Sequence, residues 1–159
     1  VPALFGQFPE PVLDHVGVAT GASVLDVGCG TGVLAESLPF DDGSFDHAVS
    51  QFAAMFFTDR LSAVAEMARV TQIGGTVTVV TWASLDQTPG YQAMVALIAD
   101  ELGDQAADVR GWTLADLVDD AAEATLVARA ERELARFVSS DGSVAFPSPA
   151  IVGTAVIDR

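Results

Sequence analysis

Short apolar runs that end in glycine or in a turn predict the strands of this chain. The run "SVLDV" (23–27) is almost continuously apolar and stops at Gly28, as a strand buried on both faces does. A second strand is expected over "SFDHAVS" (44–50), and "TVTVVTW" (76–82) is rich in β-branched residues. The run "AIVGTAVI" (150–157) predicts a last strand.

Apolar residues at helical spacing predict helices between these strands. A short helix with proline near its start is expected over 9–16, and further helices are expected over 60–71 and about 90–102. A capping box at 113–116 begins a helical pattern that runs to about residue 138. This alternation of strands and helices indicates an α/β fold with a mainly parallel sheet.

Charge and composition restrict the partners of the chain. Its 159 residues, 50% of them hydrophobic, suffice for one domain with a substantial core. Asp and Glu number 22 against seven basic residues, all of them Arg, and the net charge is −15. Because nucleic-acid binders neutralise phosphates with cations, a nucleic-acid partner is disfavoured. The absence of Lys also excludes Schiff-base chemistry.

The single cysteine and the hydropathy pattern bear on location. Cys29 alone forms no internal disulfide and no cysteine-rich metal site, so no metal is expected. The longest apolar runs are far shorter than a membrane span, and no signal-peptide pattern opens the chain. We therefore expect a cytoplasmic protein.

The candidate chemistry lies where the first strand ends. In "DVGCGTG", Gly28, Gly30 and Gly32 follow the strand and lead into a helix, and glycine lets the backbone turn tightly against a ligand. Asp26 stands at the carboxyl end of the strand, where open α/β sheets bind ligands. A plain glycine turn is the alternative. The dinucleotide fingerprint needs glycine where this chain has Val33, so an adenosine ligand with a cationic tail fits better than a pyrophosphate.

These motifs resemble those of a known enzyme family. "VLDVGCGTG" is similar to the first motif of the class I S-adenosylmethionine-dependent methyltransferases. The stretch from "LPFDDGSFD" to "GGTVTVVTW" resembles the family's fourth strand, next helix, Gly-Gly turn and fifth strand. The resemblance covers roughly 10–85 and is closest to the small-molecule methyltransferases of the ubiquinone/menaquinone-biosynthesis type.

The resemblance implies a fold and a domain organisation. It implies a Rossmann-like α/β sheet with helices on both faces. It also implies one methyltransferase domain over 1–159, with its core at about 9–82 and 150–157. The region of about 83–149 would be the variable, substrate-side lid.

The resemblance further implies S-adenosylmethionine as cofactor and methyl transfer to a small-molecule acceptor. The implied cofactor-binding residues are Asp26, Gly28, Cys29, Gly30, Gly32, Ser50 and Gln51. Asp26 would orient the loop and contact the amino-acid end of the cofactor, or instead cap the following helix. Ser50 and Gln51 would lie near the transferred methyl, or instead only make strand-end hydrogen bonds. Cys29 is more simply a packing residue than a nucleophile, and a homodimer stays open.

Each of the remaining polar and aromatic residues has either a role in the site or a purely structural one. The residues Phe52, Met55, Phe56 and Phe57 are expected to form one apolar cluster, either core or a wall of the acceptor pocket, and Trp82 has the same two alternatives. His15 and His47 are expected in surface or packing roles, so no catalytic base is assigned. Asp42 and Asp46 are expected to be structural.

The spacing of the motifs is too short for the complete family domain. Only "VLAES" separates the glycine loop from "LPF", whereas a parallel crossover needs a dozen or more residues and the family places two strands there. The family's sheet order is 3-2-1-4-5-7-6, so we expect strands 1, 4, 5 and 7 as a contiguous centre, with edge strands absent. Either the sequence joins segments of a longer domain, or it is a shortened, catalytically inactive relative that acts as a binding or scaffold protein.

Overall fold

The computed structural model describes residues 9–28, 38–103 and 120–158. Helices α1 to α4 span Pro9–Val16, Arg60–Val70, Pro89–Leu102 and Asp120–Glu133, and strands β1 to β4 span Val24–Asp26, Phe45–Gln51, Thr71–Trp82 and Ala150–Val156. All four predicted strands and the helices predicted over 9–16, 60–71 and 90–102 are confirmed. The predicted capping box at 113–116, the loop residues 29–37 and the short spacing between the first two strands lie outside the described residues.

The four strands form one sheet in the order β1-β2-β3-β4. The first three run parallel and β4 runs antiparallel to β3. This is the contiguous centre expected from the family order, and the prediction of a Rossmann-like α/β sheet is confirmed. Within the described ranges no further strand joins either side of the sheet.

Strand β3 is longer than predicted. It begins at Thr71 rather than at 76, and the pair Gly74-Gly75, expected as a turn before the strand, lies inside it. The register with β2 shifts where the glycines bulge out, and the Gly74 amide donates to the Ile157 carbonyl at 2.7 Å. A Cβ at Gly75 would collide with the Asp46 carbonyl oxygen. The prediction was wrong because glycine is depleted in strands, and only tertiary pairing reveals a bulge.

Two apolar clusters cover the two faces of the sheet. One cluster comprises the buried residues Val27, Ala48, Ala53, Phe57, Met67 and Val77. The other comprises Val12, Val49, Phe52 and Val80. Because successive residues of a strand point to opposite faces, α2 covers the first face through Met67 and α1 covers the second through Val12.

The turn that leads into β2 is fixed by charged side chains. Arg69 Nη1 donates to Asp42 Oδ1 at 2.7 Å and to the Phe40 carbonyl at 2.9 Å. Arg69 donates to Glu66 through Nε and Nη2, and these hydrogen bonds, together with one from the Leu38 amide, lower the pKa of Glu66 to about 2. The Asp46 carboxylate accepts hydrogen bonds from the backbone and hydroxyl of Ser23. Asp42 and Asp46 are therefore structural, as predicted.

The chain divides into two compact units, Val1–Trp82 with Ala150–Arg159, and Ala83–Pro149. In the second unit Arg129 joins α4 to α3 through an ion pair with Asp100 at 2.7 Å and another with Glu101. An apolar pocket of about 300 Å³ lies between these two helices. No described helix is long and apolar enough to cross a membrane.

Candidate functional site

The carboxyl ends of β1 and β2 lie side by side in the first unit. Asp26 stands opposite Val49 in the parallel register, and the amide of Val27 donates to the Val49 carbonyl at 2.8 Å. The turn that follows β1 therefore lies next to Ser50, Gln51 and Phe52. Ligands of open α/β sheets bind in this position, beyond the carboxyl ends of neighbouring parallel strands.

Asp26 is exposed at the end of β1, although the neighbouring protein partly desolvates its carboxyl group. Burial raises its pKa above the usual value of 3.8. Among the described residues nothing donates a hydrogen bond to it and no cation pairs with it. Its expected alternative role, as cap of the helix after the glycine loop, involves residues outside the described ranges. The carboxylate thus presents charge and acceptor capacity that the described protein does not use.

At Gly28 the turn after β1 lies in direct contact with the turn after β2. Its φ of +97° lies in the left-handed region that disfavours side chains. A Cβ built on Gly28 would overlap the Cβ of Ala53 and lie 3.7 Å from the ring of Phe57. Glycine is therefore required here for both conformation and space. Cys29, Gly30 and Gly32 lie outside the described residues, so their cofactor-binding roles stay predictions.

Ser50 and Gln51 end β2 on opposite faces of the sheet. Ser50 is 0% exposed, and its Oγ has no hydrogen-bond partner in the part of the chain that the structure describes. A buried hydroxyl without a partner costs about 1–3 kcal/mol, so a native protein needs a reason to keep one. The strand-end hydrogen bond expected as the alternative is not found for this side chain. Gln51 is half-buried and stands opposite Val80.

Phe52 turns the chain sharply just beyond β2. It is the one non-glycine residue of the described ranges with a positive φ, +55°, and its amide donates to the Val80 carbonyl at 2.9 Å. Such a backbone costs about 1–3 kcal/mol and is typical of functional sites. Sequence reasoning missed this feature, because no residue pattern signals a left-handed phenylalanine.

The apolar cluster predicted after β2 is divided between the two faces of the sheet. Phe52 packs with Met55 on the face covered by α1, whereas Phe57 packs on the face covered by α2. Phe56 is 52% exposed and belongs to neither core. The expectation of a single cluster was wrong, because the sharp turn at Phe52 and the short 3-10 turn after it send consecutive side chains in different directions.

Neither histidine lies at the carboxyl ends of the strands. His15 is exposed on α1. His47 lies near the beginning of β2, where Nδ1 shares a 2.8 Å hydrogen bond with Thr76 Oγ1. Arg60 braces the turn after β2 by donating to the carbonyls of Ala54 and Met55. The described site therefore holds no assigned catalytic base, and no group of three potential metal ligands occurs within the described ranges.

Comparison with known proteins finds a family model that matches part of the chain. Residues 33–79 match the family model described as a methyltransferase domain. Uncharacterised proteins of Mycobacterium tuberculosis and Mycobacterium bovis are 42% identical over 48 residues. That match covers 30% of this chain and only 18% of the length of each relative.

Two solved structures resemble the fold of this chain. A candidate methyltransferase from Bacillus halodurans is 15% identical, covers 94% of this chain and 98% of its own, and has a TM-score of 0.54. A chain of the complex between the Haloferax volcanii Trm112 methyltransferase activator and a candidate methyltransferase is 16% identical, covers 99% and 92%, and has a TM-score of 0.51. At these identities the likeness shows the fold. Nothing in it selects the quinone-biosynthesis type.

Proposed function

We propose that this chain, which carries a methyltransferase-domain segment on a class I Rossmann-like sheet, binds S-adenosylmethionine and transfers its methyl group to a small-molecule acceptor. The observation that carries the proposal is a buried hydroxyl without a partner next to an exposed carboxylate, where β1 and β2 end. The Ser50 hydroxyl is buried without a partner, and the Asp26 carboxylate has neither donor nor cation among the described residues. A ligand that lies across the carboxyl ends of the strands would neutralise Asp26 on one face of the sheet and give Ser50 a partner on the other.

The chemistry of these residues fits the cofactor. S-adenosylmethionine has an ammonium group and a sulfonium cation, and the carboxylate of Asp26 is the complementary charge. Ser50 and Gln51 offer hydroxyl and amide groups for hydrogen bonds. Gly28 keeps the first turn free of a side chain, and the resemblance adds Cys29, Gly30 and Gly32 to this set.

The protein's contribution to the reaction is positioning. When bound, the sulfonium supplies an electrophilic methyl group that an acceptor nucleophile displaces in line. Holding the two reactants in such a geometry removes much of the entropic barrier. Asp26 and Ser50 would fix the donor. A base is needed only if the acceptor must lose a proton, and we assign none.

Charge and aromatic residues support a small acceptor. The net charge of −15 and the absence of Lys oppose a polyanionic substrate. Trp82, which is partly exposed and stacks on Phe52 at the ends of β2 and β3, suits an apolar or aromatic acceptor. A cytoplasmic location is also part of the proposal, since a single cysteine is not the pattern of a disulfide-stabilised extracellular domain.

Isothermal titration calorimetry with S-adenosylmethionine tests the proposal on the full expressed protein. We expect binding by the wild type and affinities reduced at least about tenfold, or about 1.4 kcal/mol, in Asp26→Asn and Ser50→Ala. Asp86→Asn, an exposed carboxylate of the second unit, is the matched control and should bind normally. A folded wild type that binds no cofactor would contradict the proposal and favour the inactive binding or scaffold protein.

A further inference from the structure

Arg60 connects the beginning of α2 to the turn after β2, which comprises residues 52–57. Its Nε donates to the Ala54 carbonyl at 3.2 Å, and its Nη2 donates to the Met55 carbonyl at 3.3 Å. Because the donors of a guanidinium lie in one fixed plane, two such bonds restrict the orientation of the two peptide groups as well as their position.

The turn after β2 has few other hydrogen bonds to hold it. Its 3-10 segment, Ala54–Phe56, has no side-chain cap at its start, and the Phe56 amide donates to the Ala53 carbonyl at 2.9 Å. The turn begins with the left-handed backbone of Phe52, a conformation that persists only when the surrounding structure holds it. Among the described side chains only Arg60 donates a hydrogen bond to this turn.

Helix α2 gives Arg60 a fixed base. Asp59 caps the helix by accepting hydrogen bonds from the amide and the hydroxyl of Ser62, at 3.0 and 2.8 Å. Met67, which is 0% exposed, packs the helix on the sheet. Arg60 forms no ion pair with a described carboxylate, although the chain has 22 acidic residues. Its contacts in the described structure are therefore directed at the turn.

The position of the turn after β2 determines the space available beside Gly28. A Cβ built on Gly28 would overlap the Cβ of Ala53, so the backbone of the glycine turn lies directly against Ala53. The same turn continues the strand end that contains Ser50. A displacement of the turn would therefore disturb both strand ends at which the cofactor is proposed to bind.

We propose that Arg60 is a positioning residue of the cofactor site, which holds the turn after β2 against Gly28 and acts on the cofactor through that contact. The inference rests on the proposed function. The sign of the charge separates this role from an electrostatic one. S-adenosylmethionine is a net cation, so the loss of a positive charge would by itself strengthen its binding. Weaker binding without Arg60 therefore reports a change in geometry.

Isothermal titration calorimetry with S-adenosylmethionine compares Arg60→Ala with Arg132→Ala. Arg132 is exposed on α4, so its variant loses the same charge without changing the turn. We expect Arg60→Ala to bind about threefold to tenfold more weakly than the wild type, the range for one or two hydrogen bonds. Arg132→Ala should bind at least as tightly as the wild type. Arg60→Lys, which keeps the charge and one donor atom, should recover part of the loss. Unchanged or tighter binding by Arg60→Ala overturns the inference.

A double-mutant cycle tests whether Arg60 acts through the contact with Gly28. Ala53→Gly removes the atom that lies against the glycine turn. In this background Arg60→Ala should weaken cofactor binding by less than about twofold, because the contact through which Arg60 acts is already lost. Strictly additive losses of affinity would contradict a positioning role through Ala53.

Amide hydrogen exchange without cofactor distinguishes failure of this inference from failure of the proposed function. Arg60→Ala should speed exchange of the Phe56 amide, while the amides of β3 exchange as in the wild type. The midpoint of thermal unfolding should change by no more than about 2 °C, since Arg60 is an exposed residue. A wild type that binds no S-adenosylmethionine contradicts the proposed function, and the exchange at Phe56 still decides whether Arg60 holds the turn. Unchanged exchange at Phe56, or a uniform increase over the whole first unit, overturns the inference.

Discussion

The ring of Phe52 lies flat against the indole of Trp82, with centroids 4.0 Å apart and an interplanar angle of 19°. Phe52 follows the end of β2, and Trp82 ends β3. The stack therefore ties two neighbouring strand ends together on the face covered by α1. Phe52 is only 6% exposed and packs in the apolar cluster with Val49 and Val80. The free energy gained from this packing offsets the cost of the left-handed backbone at Phe52.

Truncation of this ring should destabilise the first unit strongly. Phe52→Ala removes a buried aromatic side chain, and such changes cost about 3–5 kcal/mol. Phe56→Ala is the matched control, because Phe56 is 52% exposed and should cost well under about 1 kcal/mol. Urea denaturation followed by circular dichroism measures both. Equal losses in the two variants would show that the stack contributes nothing specific.

Gly28→Ala, compared with a matched glycine, should distinguish the cost of backbone strain from the cost of a steric collision. Gly28→Ala places a Cβ at φ +97° and against Ala53, so we expect a loss of stability and of cofactor affinity. Gly21→Ala is matched in conformation, with φ +90°, but its Cβ would meet nothing within 4 Å. It should cost only about 1–2 kcal/mol of backbone strain.

The part of the stability loss in Gly28→Ala that comes from the collision should be recovered by a second substitution at Ala53. Ala53→Gly removes the atom that the new Cβ would meet, so the double variant should recover stability to about the level of Gly21→Ala. A double-mutant cycle from denaturant unfolding gives the coupling. Strictly additive losses would show that the two turns do not press on each other.

The sequence was sufficient to predict the elements but not the details of the site. Asp26 and Gly28 could be proposed from the sequence, because a buried strand followed by glycine is a local pattern that predicts a ligand-binding turn. The bulge at Gly74 was missed, because local propensity contains no information on which residues of β2 stand opposite β3. The unpaired hydroxyl of Ser50 was not predictable either, since burial and hydrogen bonding depend on neighbours distant in sequence.

The ion pair between Glu66 and Arg69 should give the fold a specific acid sensitivity. The pKa of Glu66 is about 2 in the folded chain and 4.5 when unperturbed, so the folded state favours the ionised form. Its contribution to stability is complete above pH 4.5 and is lost as the pH falls from 4.5 towards 2. Glu66→Gln should therefore be less stable than the wild type at neutral pH, and the difference should shrink in that interval.

Thermal unfolding at a series of pH values measures this difference. Glu131→Gln, an exposed position on α4, is the control and should differ little from the wild type at neutral pH. High salt should reduce the effect of Glu66→Gln, because the pair is partly solvated. A constant difference between wild type and Glu66→Gln from pH 7 to 2 would exclude the ion pair as its origin.

Asp26 should show opposite effects on stability and on binding. Burial raises its pKa, so its ionised form costs folding free energy, and that cost appears as the pH rises from 3.8 through the higher folded value. Asp26→Asn should therefore unfold at a higher temperature than the wild type at pH 7 in the absence of ligand. The same substitution removes the charge that would face the cofactor's cations, so S-adenosylmethionine should bind more weakly. Calorimetry at several pH values should show wild-type affinity falling as Asp26 is protonated, with Asp26→Asn insensitive over that range. If Asp26→Asn gains stability but keeps full affinity, Asp26 has no role in binding the cofactor.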